Sequence, residues 1–251
     1  MDTGRPLDGG NASGPVVRIG ETVRKAWSDA TPHVHAFLDA VRAAGVDAPA
    51  PRGRDEQGRQ VLEFVPGRLA MDAVPLTRDD LHRVGAMVRA IHDASAPFVP
   101  EPDATWECAI PAPAGDLVCH NDLAPWNLVV GERWVFIDWD AAAPSTRLWD
   151  LAYAAQAFTL GDVGRSPQDA GRDLAAFVDG YAADRSLREA LPTAMAQRSA
   201  AMLELLRSGH ESGEEPWGSM YVDGHGDHWA AVTRYVAAHR ARWARALQAE
   251  R

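Results

Sequence analysis

The sequence predicts an α+β protein of two parts: a small strand-rich lobe over residues 1–66 and a larger, mainly helical lobe over residues 67–251. Three observations lead there. Short apolar runs bounded by Gly, Pro and polar clusters dominate the first part, which is the pattern of strands and hairpins. From Leu174 onward, apolar residues recur at three- and four-residue intervals, the pattern of amphipathic helices. Between the two, a polar loop over residues 120–127 is bracketed by the apolar triplets Leu117–Cys119 and Leu128–Val130.

In chain order, Leu7 to Gly14 reads Leu-Asp-Gly-Gly-Asn-Ala-Ser-Gly. This is either a glycine-rich segment whose backbone NH groups face phosphate, or an ordinary frayed terminus. Val16–Ile19 and Thr22–Ala26 then form a hairpin about Gly20-Glu21. Strand alternation puts Val23 on the same face as Lys25, the single lysine of the chain. Thr31-Pro32 opens a helix, with Thr31 as N-cap and Pro32 at the first helical position. Its stripe is Val34, Phe37, Leu38 and Val41, and Gly45 ends it. Val61–Val65 reads as a buried strand closed by Pro66-Gly67. Thr77 and Asp80 form a capping box for a helix that runs to His92, with Leu81, Val84, Val88 and Ile91 inward.

A Pro-rich connector, Ala96 to Ala114, leads to the bracketed loop. Across the Gly131-Glu132 turn a further apolar run, Trp134–Ile137, ends in Asp138. A hairpin there returns Asp138 to the side of Asp122 and Asn127. The remainder reads as helices marked by Leu174, Phe177, Val178 and Tyr181, by Met202 to Leu206, and by Trp229 to Leu247.

Composition narrows the function classes. A formal charge of −10 argues against nucleic acid, whose phosphates need clustered Lys and Arg. No run approaches the roughly 18 apolar residues of a membrane span, and the first residues lack a signal peptide's apolar core, so a cytoplasmic location is expected. Cys108 and Cys119 form no Cys-x-x-Cys pair, which points to neither a disulfide scaffold nor zinc.

Oxygen donors converging without a thiol suit Mg2+ and phosphate chemistry. Kinase-type phosphoryl transfer uses an Asp that takes the hydroxyl proton, an Asn about five residues on, and a later Asp on the metal. Asp122, Asn127 and Asp138 stand in that order. The set His120-Asn121-Asp122, Asn127, Asp138-Trp139-Asp140 and Trp149-Asp150-Leu151-Ala152 resembles the aminoglycoside phosphotransferase and choline kinase family. That resemblance implies a protein-kinase-like fold with nucleotide in the cleft between a β-rich N-terminal lobe and a helical C-terminal lobe. It implies transfer of the γ-phosphoryl of ATP, with GTP left open, to a hydroxyl of a small molecule such as an aminoglycoside or another antibiotic.

By the same resemblance Asp122 is the catalytic carboxylate, and Asn127 and Asp138 hold Mg2+. Lys25, with Arg24 as its rival, meets the phosphates. Backbone groups near Glu63 and Val65 meet the adenine edge, and His120 and Asp150 support the catalytic loop. Asp140 is either a second metal ligand or a solvated carboxylate. Two departures stand out. The first strand is nearly missing, and the helix that should offer a Glu to the cation carries His33, His35 and Asp39, so that the cation pairs with His35 or Asp39 or lies free. They leave room for a catalytically weak nucleotide-binding regulatory protein on the same fold.

Glu211, Glu214, Glu215, Asp223 and Asp227 share a tract, Ser208 to Thr233, without Lys or Arg. It is either part of the site for a cationic acceptor or a solvated loop. His225, Asp227 and His228 in the same tract leave a metal-dependent hydrolase as a remote rival.

Overall fold

The computed structural model describes residues 4–7, 14–73 and 75–248. Six elements build its first part: strands β1 (Arg5–Leu7), β2 (Val16–Ile19) and β3 (Thr22–Lys25), helix α1 (Thr31–Ala43), and strands β4 (Pro51–Arg54) and β5 (Gln60–Glu63). The strands form one antiparallel sheet in the order β1-β2-β3-β5-β4. Register sets Val23 opposite Leu62 and Lys25 opposite Gln60. The first strand, expected to be nearly missing, is present but only three residues long. The glycine-rich stretch falls largely on residues 8–13, outside the described residues.

Helix α1 buries Val34, Phe37, Leu38 and Val41, as its periodicity requires. Its N-cap is Ala30, one residue before the expected Thr31, because the amides of His33 and Val34 already bond the Ala30 carbonyl. The Thr31 hydroxyl instead accepts from the Ser28 amide at 2.9 Å, which closes the preceding turn. Gly45 ends the helix at φ +95°, a conformation that carries little cost without a Cβ.

The second part begins with β6 (Arg68–Leu69) and α2 (Arg78–Ser95). Thr77 and Asp80 make the expected reciprocal capping box of α2, which runs three residues past His92. Strands β7 (Leu117–Cys119), β8 (Leu128–Val130), β9 (Trp134–Phe136) and β10 (Ala143–Ser145) follow. They form two small sheets, β10-β7 and β6-β8-β9. Helices α3 (Arg147–Thr159), α4 (Pro167–Tyr181), α5 (Arg185–Ser212), α6 (Trp217–Met220), α7 (Gly226–Ala238) and α8 (Arg240–Gln248) complete the chain.

Helices α2 and α4 cross through bare backbone. A Cβ on Gly85 would sit 2.0 Å from the Phe177 carbonyl oxygen, and one on Gly180 would sit 1.9 Å from that of His82. The last helix, expected to be continuous, is broken at His239. There the indole of Trp243 folds back and donates to the Val236 carbonyl at 3.0 Å, satisfying a group left open at the end of α7.

Arg133, in the turn between β8 and β9, ties the two parts together. It meets Asp47 and Glu63 at 2.6 Å each. Among the described residues, no helix is long and apolar enough to cross a membrane.

Candidate active site

Two short strand pairings aim the loop over residues 120–127. Strand β7 delivers the chain to His120, and β8 carries it away after Asn127. Antiparallel pairing of β8 with β9, Leu128 opposite Phe136, returns Asp138 to the loop. The loop is held from beneath. Asn121 adopts φ +63°, a left-handed conformation that Asn tolerates, and its side-chain amide faces the carbonyls of Cys119, Ala141 and Ala143. Its backbone NH donates to Asp150 Oδ1 at 2.8 Å. The other Asp150 oxygen lies 2.9 Å from His92 Nε2, and His92 Nδ1 lies 2.8 Å from the Tyr181 hydroxyl. This wholly buried chain anchors the loop to α2, α3 and α4.

His120 is also fully buried. Its Nε2 donates to the Ile137 carbonyl at 3.1 Å and its Nδ1 accepts from the Asp122 amide at 3.3 Å. The ring packs on Trp139 with centroids 4.6 Å apart. Burial pushes its pKa down, which keeps the imidazole neutral for this donor-and-acceptor pair.

Asn127 donates Nδ2 to Asp122 Oδ2 at 2.7 Å and to the Asp122 carbonyl at 3.0 Å. Tyr153 also bonds the Asp122 carboxylate. Burial, and then the charge of Asp138, push the Asp122 pKa up to about 7, against the pull of Arg198 and these two bonds. A carboxylate titrating near neutrality at the end of a cleft is a candidate acid–base group.

The two candidate cations part company. Lys25 is buried, and its Nζ lies 2.5 Å from both Asp138 Oδ1 and Asp140 Oδ2. Burial disfavours its charge, but the two carboxylates outweigh that effect and hold its pKa above the usual value. Arg24 turns the other way, to Thr22 at 2.6 Å and Asp55 at 3.4 Å.

Neither open reading of the missing helix Glu survives. Lys25 is not free, nor does it pair with His35 or Asp39, because two carboxylates after β9 reach it first. His35 instead lies 3.3 Å from Gln60 Oε1, and Gln60 Nε2 donates to Asp140 Oδ1 at 3.2 Å and to the Ala26 carbonyl. Asp140 is thus a bonded partner of Lys25 and Gln60 rather than a solvated carboxylate.

At the strap between the parts, the Glu63 amide donates to the Ala50 carbonyl and the Phe64 amide to that of Glu21. The Glu63 carboxylate is taken by Arg133, Arg42 and the Ala50 amide. Val65 is buried with Val129 and Val135.

A cavity of about 770 Å³ opens from Asp122, Asn127, Asp138 and Asp140 toward α5 and the α6–α7 region. Its far wall is mostly apolar and aromatic, with Trp126, Tyr153, Met202, Trp217, Met220 and Trp229. Of the acidic tract, only Asp223 lines it. Glu211, Glu214, Glu215 and Asp227 are exposed and stand off the cavity, because α5 and α7 turn their apolar faces toward it. His225 and His228 line its rim, but they form no metal trio with Asp227. Among the described residues, only His92, Cys119 and Asp150 bring three such ligand atoms within 4.8 Å, and those are the loop anchor and its neighbour.

Sequence reasoning missed Arg198 of α5, which lines the same cavity and is 5% exposed. A signal existed. Leu191, Ala194, Met195 and Met202 mark the inward stripe of α5, and Arg198 falls on that stripe.

Residues 104–190 match the family model described as the phosphotransferase enzyme family. The trifolitoxin immunity protein of Rhizobium leguminosarum bv. trifolii is 30% identical over 155 residues, 59% of each chain. The match therefore spans less than two thirds of that relative. A microcompartment-associated aminopropanol kinase superposes with a TM-score of 0.66 at 15% identity, over 96% of this chain and 93% of that one. An amicoumacin kinase, solved with AMP-PNP and Ca2+, gives 0.70 at 14% identity, over 95% and 88%. A choline/ethanolamine kinase family protein from Mesorhizobium loti gives 0.60 at 18%, over 96% and 94%. The fold is protein-kinase-like, and the resemblance carried by the His120–Ala152 motifs is borne out.

Proposed function

We propose that the chain is a small-molecule kinase that transfers the γ-phosphoryl of ATP to a hydroxyl of the molecule held in the 770 Å³ cavity. The observation that carries this reading is the convergence of Asp122, Asn127 and Asp138 at one end of that cavity, with Lys25 paired to Asp138. The family match over residues 104–190 covers the segment that supplies three of the four.

Asp122 orients the acceptor hydroxyl and takes its proton at Oδ2 or Oδ1 as the phosphoryl group leaves the nucleotide. Its raised pKa makes it a better base than a solvated carboxylate. Asn127 and Tyr153 fix its rotamer, so the near-attack geometry is set before substrate arrives. Asn127 gives its amide nitrogen to Asp122, which leaves its amide oxygen, with the Asp138 carboxylate, as the hard donors suited to Mg2+. Bound there with the nucleotide, Mg2+ would neutralise phosphate charge. Lys25 adds a second positive charge beside the same carboxylates. Backbone groups around Glu63–Val65 form the strap against which the base would lie.

The acceptor is read as a small hydroxylated compound, and the likeness to an immunity protein makes an antibiotic a class to test first. Screening nucleotide-dependent ADP release against hydroxylated metabolites and antibiotics, with Mg2+ present, tests the proposal. Turnover that requires acceptor and is lost in Asp122→Asn supports it. AMP-PNP binding with no turnover across the panel would instead favour a nucleotide-binding regulator.

A further inference from the structure

We infer that the acceptor cavity contains an anion subsite built on Arg198, and that the acceptor is a hydroxylated molecule with an apolar or aromatic body and a carboxylate. The inference rests on the phosphotransfer reading for the word acceptor, but the subsite stands on its own observations.

Arg198 is a buried cation with no carboxylate partner among the described residues. Elsewhere Lys25 meets Asp138 and Asp140, Arg133 meets Glu63, and Arg147 meets Asp93. Arg198 makes no ion pair among the described residues. Its Nη2 reaches only the Asn121 carbonyl, at 3.4 Å, and its buried Nη1 has no hydrogen-bond partner among the described residues. The guanidinium lies 4.2 Å from the Tyr153 ring centroid and 5.9 Å from that of Trp149, so aromatic faces supply what support it has. A buried donor left unsatisfied is costly, and on the wall of a cavity it is a donor that an anion entering there can satisfy.

The cavity supplies the rest of the recognition. A guanidinium presents a planar fork matched to a carboxylate, and its five donors favour two parallel bonds. The Asp122 carboxylate feels the Arg198 charge but is bonded to Asn127 and Tyr153 and forms no ion pair with it. Trp126, Trp217, Trp229, Met202 and Met220 offer apolar surface around the fork. The other ionisable side chains on the cavity are Asp122, Asp138 and Asp140 at the phosphoryl end, and Cys108, Tyr153, Asp223, His225 and His228. An acceptor ammonium placed beside Arg198 would meet like charge in a site shielded from water.

Three matched probes separate the outcomes: phenyllactate, phenyllactamide, and the amino alcohol in which the carboxylate becomes an aminomethyl group. Each keeps the same hydroxyl and ring. Binding is measured by calorimetry with AMP-PNP and Mg2+ present, so that no turnover is needed. Phenyllactate should bind tightest. Arg198→Gln should weaken it about 10-fold or more, Arg198→Lys less, and phenyllactamide should change little. AMP-PNP affinity checks that the variants are folded. Should Arg198→Gln fail to fold, the wild-type order of the three probes and the Arg198→Lys variant decide. Tightest binding of the amino alcohol, phenyllactate affinity unmoved in the variants, or no binding of any probe at millimolar concentration overturns the subsite. An absence of ATP turnover across the whole acceptor panel alongside Arg198-dependent phenyllactate binding would overturn the kinase reading and leave the subsite standing.

Discussion

Lys25 of β3 and Asp138 after β9 meet at 2.5 Å across 113 residues of sequence, and this contact joins the strand-rich and helical parts. Asp140 shares the same ammonium at 2.5 Å. A buried cation serving two carboxylates leaves a like-charge pair behind when removed.

Lys25→Ala should therefore lower both stability and function, while Arg24→Ala, whose partners are Thr22 and Asp55, should leave nucleotide handling close to wild type. The expected loss in kcat/KM for nucleotide is on the order of 10-fold or more for Lys25→Ala. Parallel titrations with AMP-PNP and steady-state kinetics decide it. A crippled Arg24→Ala with a mild Lys25→Ala would place the phosphates on the other face of β3.

Asp122 predicts a stability cost tied to pH. Its pKa is pushed from 3.8 up to about 7 on folding, so the folded state binds the proton more tightly than the unfolded chain. Stability from this group is present below the unfolded value and is lost as pH rises through about 7. Asp122→Asn, which cannot ionise, should raise the melting temperature of the ligand-free protein at pH about 8, and the gain should shrink toward pH about 5. Turnover should fall on the order of 10²-fold or more in the same variant. Equal melting at both pH values would show that the buried carboxylate is not strained.

Gly85 and the Phe177 carbonyl oxygen leave no room for a methyl group. Gly85→Ala must push α2 away from α4, and α2 carries His92, which holds Asp150 and through it the loop that carries Asp122. Overpacking of this kind costs about 1–3 kcal/mol or more. Urea denaturation should show a lower midpoint with an unchanged slope. An unaffected midpoint would mean that the crossing adapts freely.

Changing Glu211, Glu214 and Glu215 together to Gln should leave acceptor KM within about twofold, since solvated charges away from a site are weak and screened. All three are exposed and none lines the cavity. A several-fold rise in acceptor KM that shrinks with added salt would return the tract to acceptor binding.

By itself the sequence determined what depends on neighbours in the chain. Asp122 and Asn127 share one loop, so their spacing alone says that the amide can reach the carboxylate, and it does so at 2.7 Å. The β8–β9 hairpin brings Asp138 back over a turn short enough to read from Gly131-Glu132. The stripes of α1 and α2 identify their buried faces because a 3.6-residue period is a local property. Even there, boundaries moved. Ala30 displaced Thr31 as cap, and Trp243 broke the last helix by bonding a carbonyl seven residues back.

What only the tertiary structure decided are the partners chosen across long stretches of chain. Lys25 takes Asp138 and Asp140 rather than a residue of α1, and Gln60 links His35 to Asp140. Arg198 reaches the Asn121 carbonyl from 77 residues away. Charge and hydrogen-bonding capacity are written in the composition, but which donor faces which acceptor depends on how sheet, loop and helix dock. Docking is set by summed apolar burial over the whole core, a quantity that no single stretch of sequence contains.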